Sequence, residues 1–188
     1  MEISDVEWRA QRELARVPNW IWSGETLPVP VEHIADSVFG LHVRDVEDLR
    51  KAPGVPKLPV TQGLSGLLLP ALGEIWVNAG EARAWPPRRR FTVSHELGHW
   101  CLHRAGGPVW CRSQVVDPAD NRAAAHAATA PNEREANEFA AALLMPAPLV
   151  RRHYTRLRRT NPDGCFQDLC ELFGVSGAAM SRRLRRLV

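Results

Sequence analysis

The segment 88–103, RRRFTVSHELGHWCLH, constrains this chain more than any other, because it contains the pattern HExxH at 95–99. On an α-helix, residues four positions apart lie about 40° apart around the axis and about 6 Å apart along it. His95 and His99 therefore point the same way and can bind one metal ion. Glu96 can reach a water on that ion without binding the metal, as in zinc proteases. HExxH also occurs by chance on charged surface helices, so a second motif is needed.

The composition is that of a globular protein with a core. The chain has 188 residues, 45% of them hydrophobic, which suits a single domain over 1–188. Helix formers dominate and Tyr occurs once, which argues against an all-β fold. The sequence shows neither a signal peptide nor a membrane-spanning apolar run, so we expect a cytoplasmic protein with no membrane partner. Its four cysteines form no CxxC pair, and we expect them to be thiols.

The charge is unevenly distributed along the chain. Residues 151–188 hold nine Arg and three acidic residues, a balance of +6, which leaves −3 for residues 1–150 out of the total of +3. A basic C-terminal part can bind nucleic acid or an acidic partner, and it can equally be a solvated helix face.

The first half of the chain predicts a small sheet with two helices. Apolar spacing, Ser4 as a cap and Gly40 as a stop predict helices over 4–17 and 31–39. Alternating residues predict a strand over 41–46, followed by a loop over 47–63. A hairpin is predicted from strands at 64–69 and 74–78, which gives a sheet of about three strands.

The second half is predicted to be helical. The motif helix covers about 88–104, and Gly98 within it indicates that another element packs close to its backbone. Residues 105–131 lack periodicity and predict a mobile loop beside the site, with a short helix near 122–128. Further helices are predicted at 132–145, 148–159, 165–173 and 177–187. The fold class is therefore α+β, with the sheet and motif helix in 27–104 and the basic helical part in 132–188.

A zinc site needs a third protein ligand, and His103 does not suit that role. Its Cα lies about 12 Å along the helix from that of His95, too far for both imidazoles to bind one ion with His99. We expect His103 to support a ligand, face the substrate or lie on the surface. The downstream candidates for the third ligand are His126, Glu133, Glu135 and Glu138.

Glu133 is the favoured candidate because of its helix face. It shares that face with small residues, Ala136 and Ala140, and this lets a carboxylate approach the motif helix closely. Asn137 lies one turn further on and can hydrogen-bond a ligand histidine. Glu135 and Glu138 point elsewhere and are interpreted as solvent-exposed charges. His126 is the second choice.

With both motifs in view, the sequence resembles the ImmA/IrrE-type zinc metallopeptidases over about 27–188. The resemblance rests on RFTVSHELGHWCLH, on EREANEFAAALLMP and on the strand-like IWVN before the first. It implies a compact zincin-like α+β domain with a C-terminal helical cap. It also implies that one Zn²⁺ is bound by His95, His99 and Glu133, with Glu96 as the general base.

The resemblance further implies a zinc-dependent metalloendopeptidase. Its substrate would be a protein partner, a helix-turn-helix transcriptional repressor encoded nearby, whose cleavage controls stress-response or mobile-element genes. One alternative is a non-proteolytic regulator that binds DNA or protein, since 172–184 reads like a helix-turn-helix with an Arg-rich second helix. The interpretation favoured over DNA binding is a two-helix cap with its Arg side chains facing water. A further alternative is one half of a toxin-antitoxin pair.

Overall fold

The structure is a computed structural model that describes residues 4–52, 64–103, 109–112 and 131–188, with the backbone alone described at 109–112. The chain opens with helix α1, Asp5–Ala15, capped by the Ser4 hydroxyl, which accepts a hydrogen bond from the Glu7 amide. Helix α2, Val31–Phe39, ends at Gly40, whose φ of 65° is the left-handed conformation that glycine adopts without strain. Both predicted helices are confirmed.

The sheet has four strands in the order β1-β3-β2-β4. They are β1 (His42–Val46), β2 (Leu64–Leu69), β3 (Glu74–Asn78) and β4 (Val109–Arg112). β1 runs parallel to β3, whereas β2 is antiparallel to both β3 and β4. The small sheet and its β2–β3 hairpin are confirmed, and β4 adds a strand within the segment that was predicted to be a loop.

Two short stretches differ from the prediction. The residues between β3 and the motif helix form helix α3, Ala79–Ala84, which the Asn78 side chain caps by accepting from the Glu81 amide. A 3-10 turn, Leu49–Lys51, occupies part of the predicted loop 47–63. The helix predicted near 122–128 and most of the loop 105–131 lie outside the described residues.

The remaining helices agree closely with the prediction. They are the motif helix α4 (Pro86–Leu102), α5 (Pro131–Leu144), α6 (Ala147–Thr160), α7 (Cys165–Phe173) and α8 (Gly177–Leu187). None of the helices among the described residues is long and apolar enough to cross a membrane.

Helix α4 is the central element of the fold, since α5 packs on one side of it and β2 on another. It contributes Val93 and Leu97 to the core, both fully buried. A Cβ placed on Gly98 would lie 3.0 Å from both the Cα and the carbonyl oxygen of Ala136 in α5. The close backbone approach predicted from Gly98 is therefore confirmed.

The C-terminal helices pack on the rest of the molecule rather than standing apart. Arg183 of α8 is 2% exposed and binds Glu7 of α1 through both terminal nitrogens, at 2.5 and 2.6 Å. Its Nε donates to the Met145 carbonyl at 2.9 Å. The expectation that the Arg side chains of this cap face water is wrong for Arg183, because α8 places it directly over the Glu7 carboxylate.

Candidate metal centre

The two motif histidines converge because α4 places them one turn apart on its buried side. His95 and His99 are 2% and 3% exposed, and their Nε2 atoms lie 3.0 Å apart. The helix thus fixes two nitrogen ligands before any other element contributes.

Helix α5 brings Glu133 to the same point. Its Oε2 lies 3.2 Å from Nε2 of His95, and its Oε1 lies 3.1 Å from Nε2 of His99. Each residue of this trio offers a ligand atom within 4.8 Å of the others. In a tetrahedral site with bonds of about 2.0–2.1 Å, neighbouring ligand atoms are about 3.3–3.4 Å apart. The observed spacings agree with that value to within a few tenths of an ångström.

The hydrogen bond on the far side of His95 sets its tautomer. Nδ1 of His95 lies 3.1 Å from Oδ1 of Asn137, which can only accept, so Nδ1 carries a proton and donates it. Nε2 faces Oε2 of the Glu133 carboxylate, and these two atoms are stable in contact only with a proton or a cation between them. The donor set therefore fits a divalent metal ion, and Asn137 contacts the ring of His95 through its other nitrogen.

The electrostatics favour the metal-binding forms of these groups. Burial raises the pKa of Glu133, but hydrogen bonds and charge interactions with His95 and His99 outweigh it and lower the pKa to about 2. Burial lowers the pKa of His99, with Glu133 opposing and the neighbouring histidines adding to the shift. Both shifts favour the deprotonated forms, a carboxylate on Glu133 and an uncharged imidazole on His99, which are the forms that bind metal ions.

His103 lies beside the trio and not within it. Its Nδ1 is 3.3 Å from Nδ1 of His99, and its Nε2 is 2.8 Å from Oε2 of Glu135. Glu135 was interpreted as a solvent-exposed charge, and its side chain is indeed 49% exposed, yet its carboxylate holds the His103 ring. His99 therefore contacts His103, which in turn contacts Glu135.

Glu138, another candidate for the third ligand, does not join the trio of His95, His99 and Glu133. Glu138 accepts hydrogen bonds from Ser4 at 2.5 Å and from Arg186 at 2.6 Å, which places it in the contact between α5, α8 and the N-terminus. His126 lies outside the described residues.

Glu96 is the most deeply buried polar group of the motif. It is 0% exposed, and neither carboxylate oxygen has a hydrogen-bond partner among the described residues. Burial raises its pKa to about 8, an interaction with Glu133 adds to the shift, and one with His95 opposes it. A carboxyl group whose pKa lies close to neutral can both take up and release a proton at physiological pH.

The sequence analysis did not predict that Glu96 packs against strand β2. A Cβ on Gly66 of β2 would lie 2.8 Å from Oε1 of Glu96 and would also overlap the Thr92 methyl group. Only glycine fits at that position without displacing Glu96. An isolated glycine inside a predicted strand was the available signal, since it indicates close approach by another group.

The chain matches the model of a known protein family and is similar in fold to a solved structure. The family model of the IrrE N-terminal-like domain, Peptidase_M78, matches residues 74–185, which include α4 and α5. The solved structure of a Mycobacterium tuberculosis transcriptional regulator is similar in fold, with a TM-score of 0.56 and 21% sequence identity. The similarity covers 96% of this chain and 46% of that one, so this chain spans less than half of the regulator's length. No curated protein sequence matches the chain.

Proposed function

The chain belongs to the family of the IrrE N-terminal-like domain, a metallopeptidase-like family, and on that premise we propose that it is a zinc-dependent endopeptidase. The observation that carries the proposal is the convergence of His95, His99 and Glu133 at mutual distances of 3.0–3.2 Å. Two imidazoles and one carboxylate are the ligand set of a catalytic zinc site, which keeps a position open for water or substrate.

A bound zinc ion would supply Lewis-acid chemistry, activating water and polarising the peptide carbonyl. The protein supplies orientation and proton transfer. Asn137 holds the ring of His95 through Nδ1, while His103 contacts the corresponding atom of His99. These contacts direct both Nε2 atoms toward Glu133.

Glu96 is the proposed general base. It takes the proton of the attacking water and then delivers it to the departing amine, so it must exist in both protonation states during one turnover. Its burial and its lack of a hydrogen-bond partner among the described residues leave both oxygens available for this task.

The proposed substrate is a protein, a helix-turn-helix repressor encoded nearby and met in the cytoplasm. Cleavage would release stress-response or mobile-element genes. Support for this substrate comes from the family. DNA recognition by α7 and α8 is disfavoured by Arg183, which α8 buries against Glu7. Arg186 is also engaged, by Glu138 at 2.6 Å, so two of the helix's basic groups already have partners.

The test is incubation with the neighbouring regulator, with and without zinc, using wild type, Glu96→Gln and Glu171→Gln. Glu171 is exposed on α7 and serves as the matched control. We expect zinc-dependent cleavage by wild type and the control, and zinc binding without cleavage by Glu96→Gln. Full cleavage by Glu96→Gln would refute the proposed base, and a wild-type protein unable to bind zinc would refute the metal site.

A further inference from the structure

A groove between α1, α2 and α4 is lined by none of the proposed metal ligands. The C-terminal ends of α1, α2 and α4 enclose this groove of about 210 Å³. One wall is basic and consists of Arg9, Arg12 and Arg16, with Glu13 among them. The facing wall is largely apolar and includes Val38, Phe39 and Trp100. We call this the basic groove.

The basic wall arises from the spacing of charges in α1. Positions 9, 12, 13 and 16 follow the i, i+3, i+4, i+7 pattern, so their side chains share one helix face. The Glu13 side chain is only 6% exposed and lies 3.4, 3.6 and 3.1 Å from Arg9, Arg12 and Arg16, respectively. Three guanidinium groups face one carboxylate, which leaves a local excess of two positive charges.

These arginines are held in place but remain accessible. Arg9 donates to the Cys101 carbonyl at 3.3 Å, and Arg12 stacks over the Trp8 ring at 5.0 Å. The Arg12 and Arg16 side chains are still 42% and 67% exposed. Each guanidinium has five N–H donors, and the two oxygens of Glu13 cannot accept hydrogen bonds from all the donors of three arginines. Donors therefore remain for a second carboxylate.

We propose that the basic groove binds an acidic side chain of the protein partner, Glu or Asp, with a neighbouring apolar residue against the opposite wall. This rests on the proposed function, since the partner is the protein substrate, and it adds a docking site apart from the metal centre. The basic wall lies on α1, outside residues 74–185 that match the family.

The composition of the groove favours a peptide over nucleic acid. Binding to DNA or RNA draws its strength from many basic groups that follow successive phosphates. Here the excess charge comes from three arginines on one helix face, with the Glu13 carboxylate among them and apolar side chains on the other elements. A single carboxylate beside an apolar group needs no more than this, whereas a nucleic acid draws on basic groups at successive phosphates.

The test measures binding of a fluorescein-labelled peptide of alternating Glu and Leu by anisotropy, on the full chain carrying Glu96→Gln so that no cleavage occurs. Arg12→Glu with Arg16→Glu should weaken binding by about tenfold or more, since attraction becomes repulsion. The matched control is Arg156→Glu with Arg159→Glu on α6, where both side chains are exposed, and it should change binding by less than about twofold.

Three outcomes would overturn the proposal. One is equal binding by the two double variants, and another is tight binding that high salt leaves unchanged. The third is groove-dependent binding of a duplex oligonucleotide with no binding of the peptide. Arg16→Gln alone is a milder variant, because its largely exposed position makes misfolding an unsuitable explanation for lost binding. It should weaken peptide binding less than the double variant and more than the control. Zinc affinity, measured on the same samples, reports on the proposed function separately.

Discussion

Gly98 sets the distance between the two helices that carry the metal ligands. A Cβ at this position would lie 3.0 Å from two backbone atoms of Ala136, whereas ordinary contact begins at 3.4 Å. Gly98→Ala therefore requires α4 and α5 to separate by about 0.4 Å, since no side-chain rotation can move a backbone atom. Glu133 lies less than one turn before Ala136, so the same movement carries its carboxylate away from the histidines.

The expected consequence is a selective loss of metal binding. Metal–ligand distances are defined to within about 0.2 Å, so a shift of about 0.4 Å is outside the tolerance. We expect zinc affinity to fall by about tenfold or more. The free energy of unfolding of the metal-free protein should be affected less than zinc binding. Overpacking costs about 1–3 kcal/mol, and replacing a helical glycine by alanine returns about 1 kcal/mol.

The assay pairs zinc affinity, from competition with a chromogenic chelator, with the free energy of unfolding in urea. Gly177→Ala in α8 is the matched control, because its Cβ would meet Phe166 at the ordinary distance of 3.4 Å. The control should retain zinc affinity. If Gly98→Ala also bound zinc as tightly as wild type, the spacing of α4 and α5 would not set the ligand geometry.

Three further substitutions test other contacts. In the metal-free protein, Glu96→Gln should be more stable than wild type at pH 8, because burial raises the pKa of Glu96 from 4.5 to about 8. The folded state favours the protonated carboxyl, so wild type loses this stability as pH rises from 4.5 to 8. The difference in unfolding free energy should widen by up to about 1.4 kcal/mol per pH unit, and a constant difference would contradict the reasoning. Glu135→Gln weakens the contact between Glu135 and His103 and should raise the zinc dissociation constant by about tenfold. An unchanged dissociation constant would show that this contact does not support zinc binding. Glu7→Gln leaves the Arg183 charge buried without its carboxylate and should cost about 3–5 kcal/mol in urea unfolding. A loss below about 1 kcal/mol would show that the pair contributes little.

Much of the fold followed from local patterns in the sequence. The cap at Ser4 and the stop at Gly40 act within a few residues, so they delimit α1 and α2 without knowledge of the tertiary structure. Helix α3 was missed because its six residues, Ala79–Ala84, are too few to show a helical period. Strand β4 was missed because its pairing with β2 is a long-range contact.

In the candidate site too, features within one helix were predictable from the sequence, whereas contacts between elements were not. The convergence of His95 and His99 is a property of one helix, and the face of α5 that carries Glu133 was identifiable by its small residues. The pairing of Glu135 with His103 depends on how α4 and α5 are placed beside each other, which residue spacing within either helix does not specify. The packing of Gly66 against Glu96 likewise needs the position of β2 over α4.

The burial of Arg183 illustrates the strongest departure from pattern reasoning. An arginine in a helix rich in arginine is ordinarily interpreted as exposed, because burying a charge is costly unless it is paired. The partner, Glu7, lies 176 positions away, and its carboxylate meets both terminal nitrogens of Arg183. No pattern confined to α8 contains that information.

The central claim is that His95, His99 and Glu133 together hold one divalent ion, and metal content tests it most directly. Wild type, Glu133→Gln and Glu96→Gln would be loaded with zinc, freed of excess ion and measured by atomic emission together with protein concentration. We expect close to one zinc per chain in wild type and Glu96→Gln, and a large loss in Glu133→Gln, since one of three protein ligands is removed. Zinc absent from wild type, or fully retained by Glu133→Gln, would contradict the account.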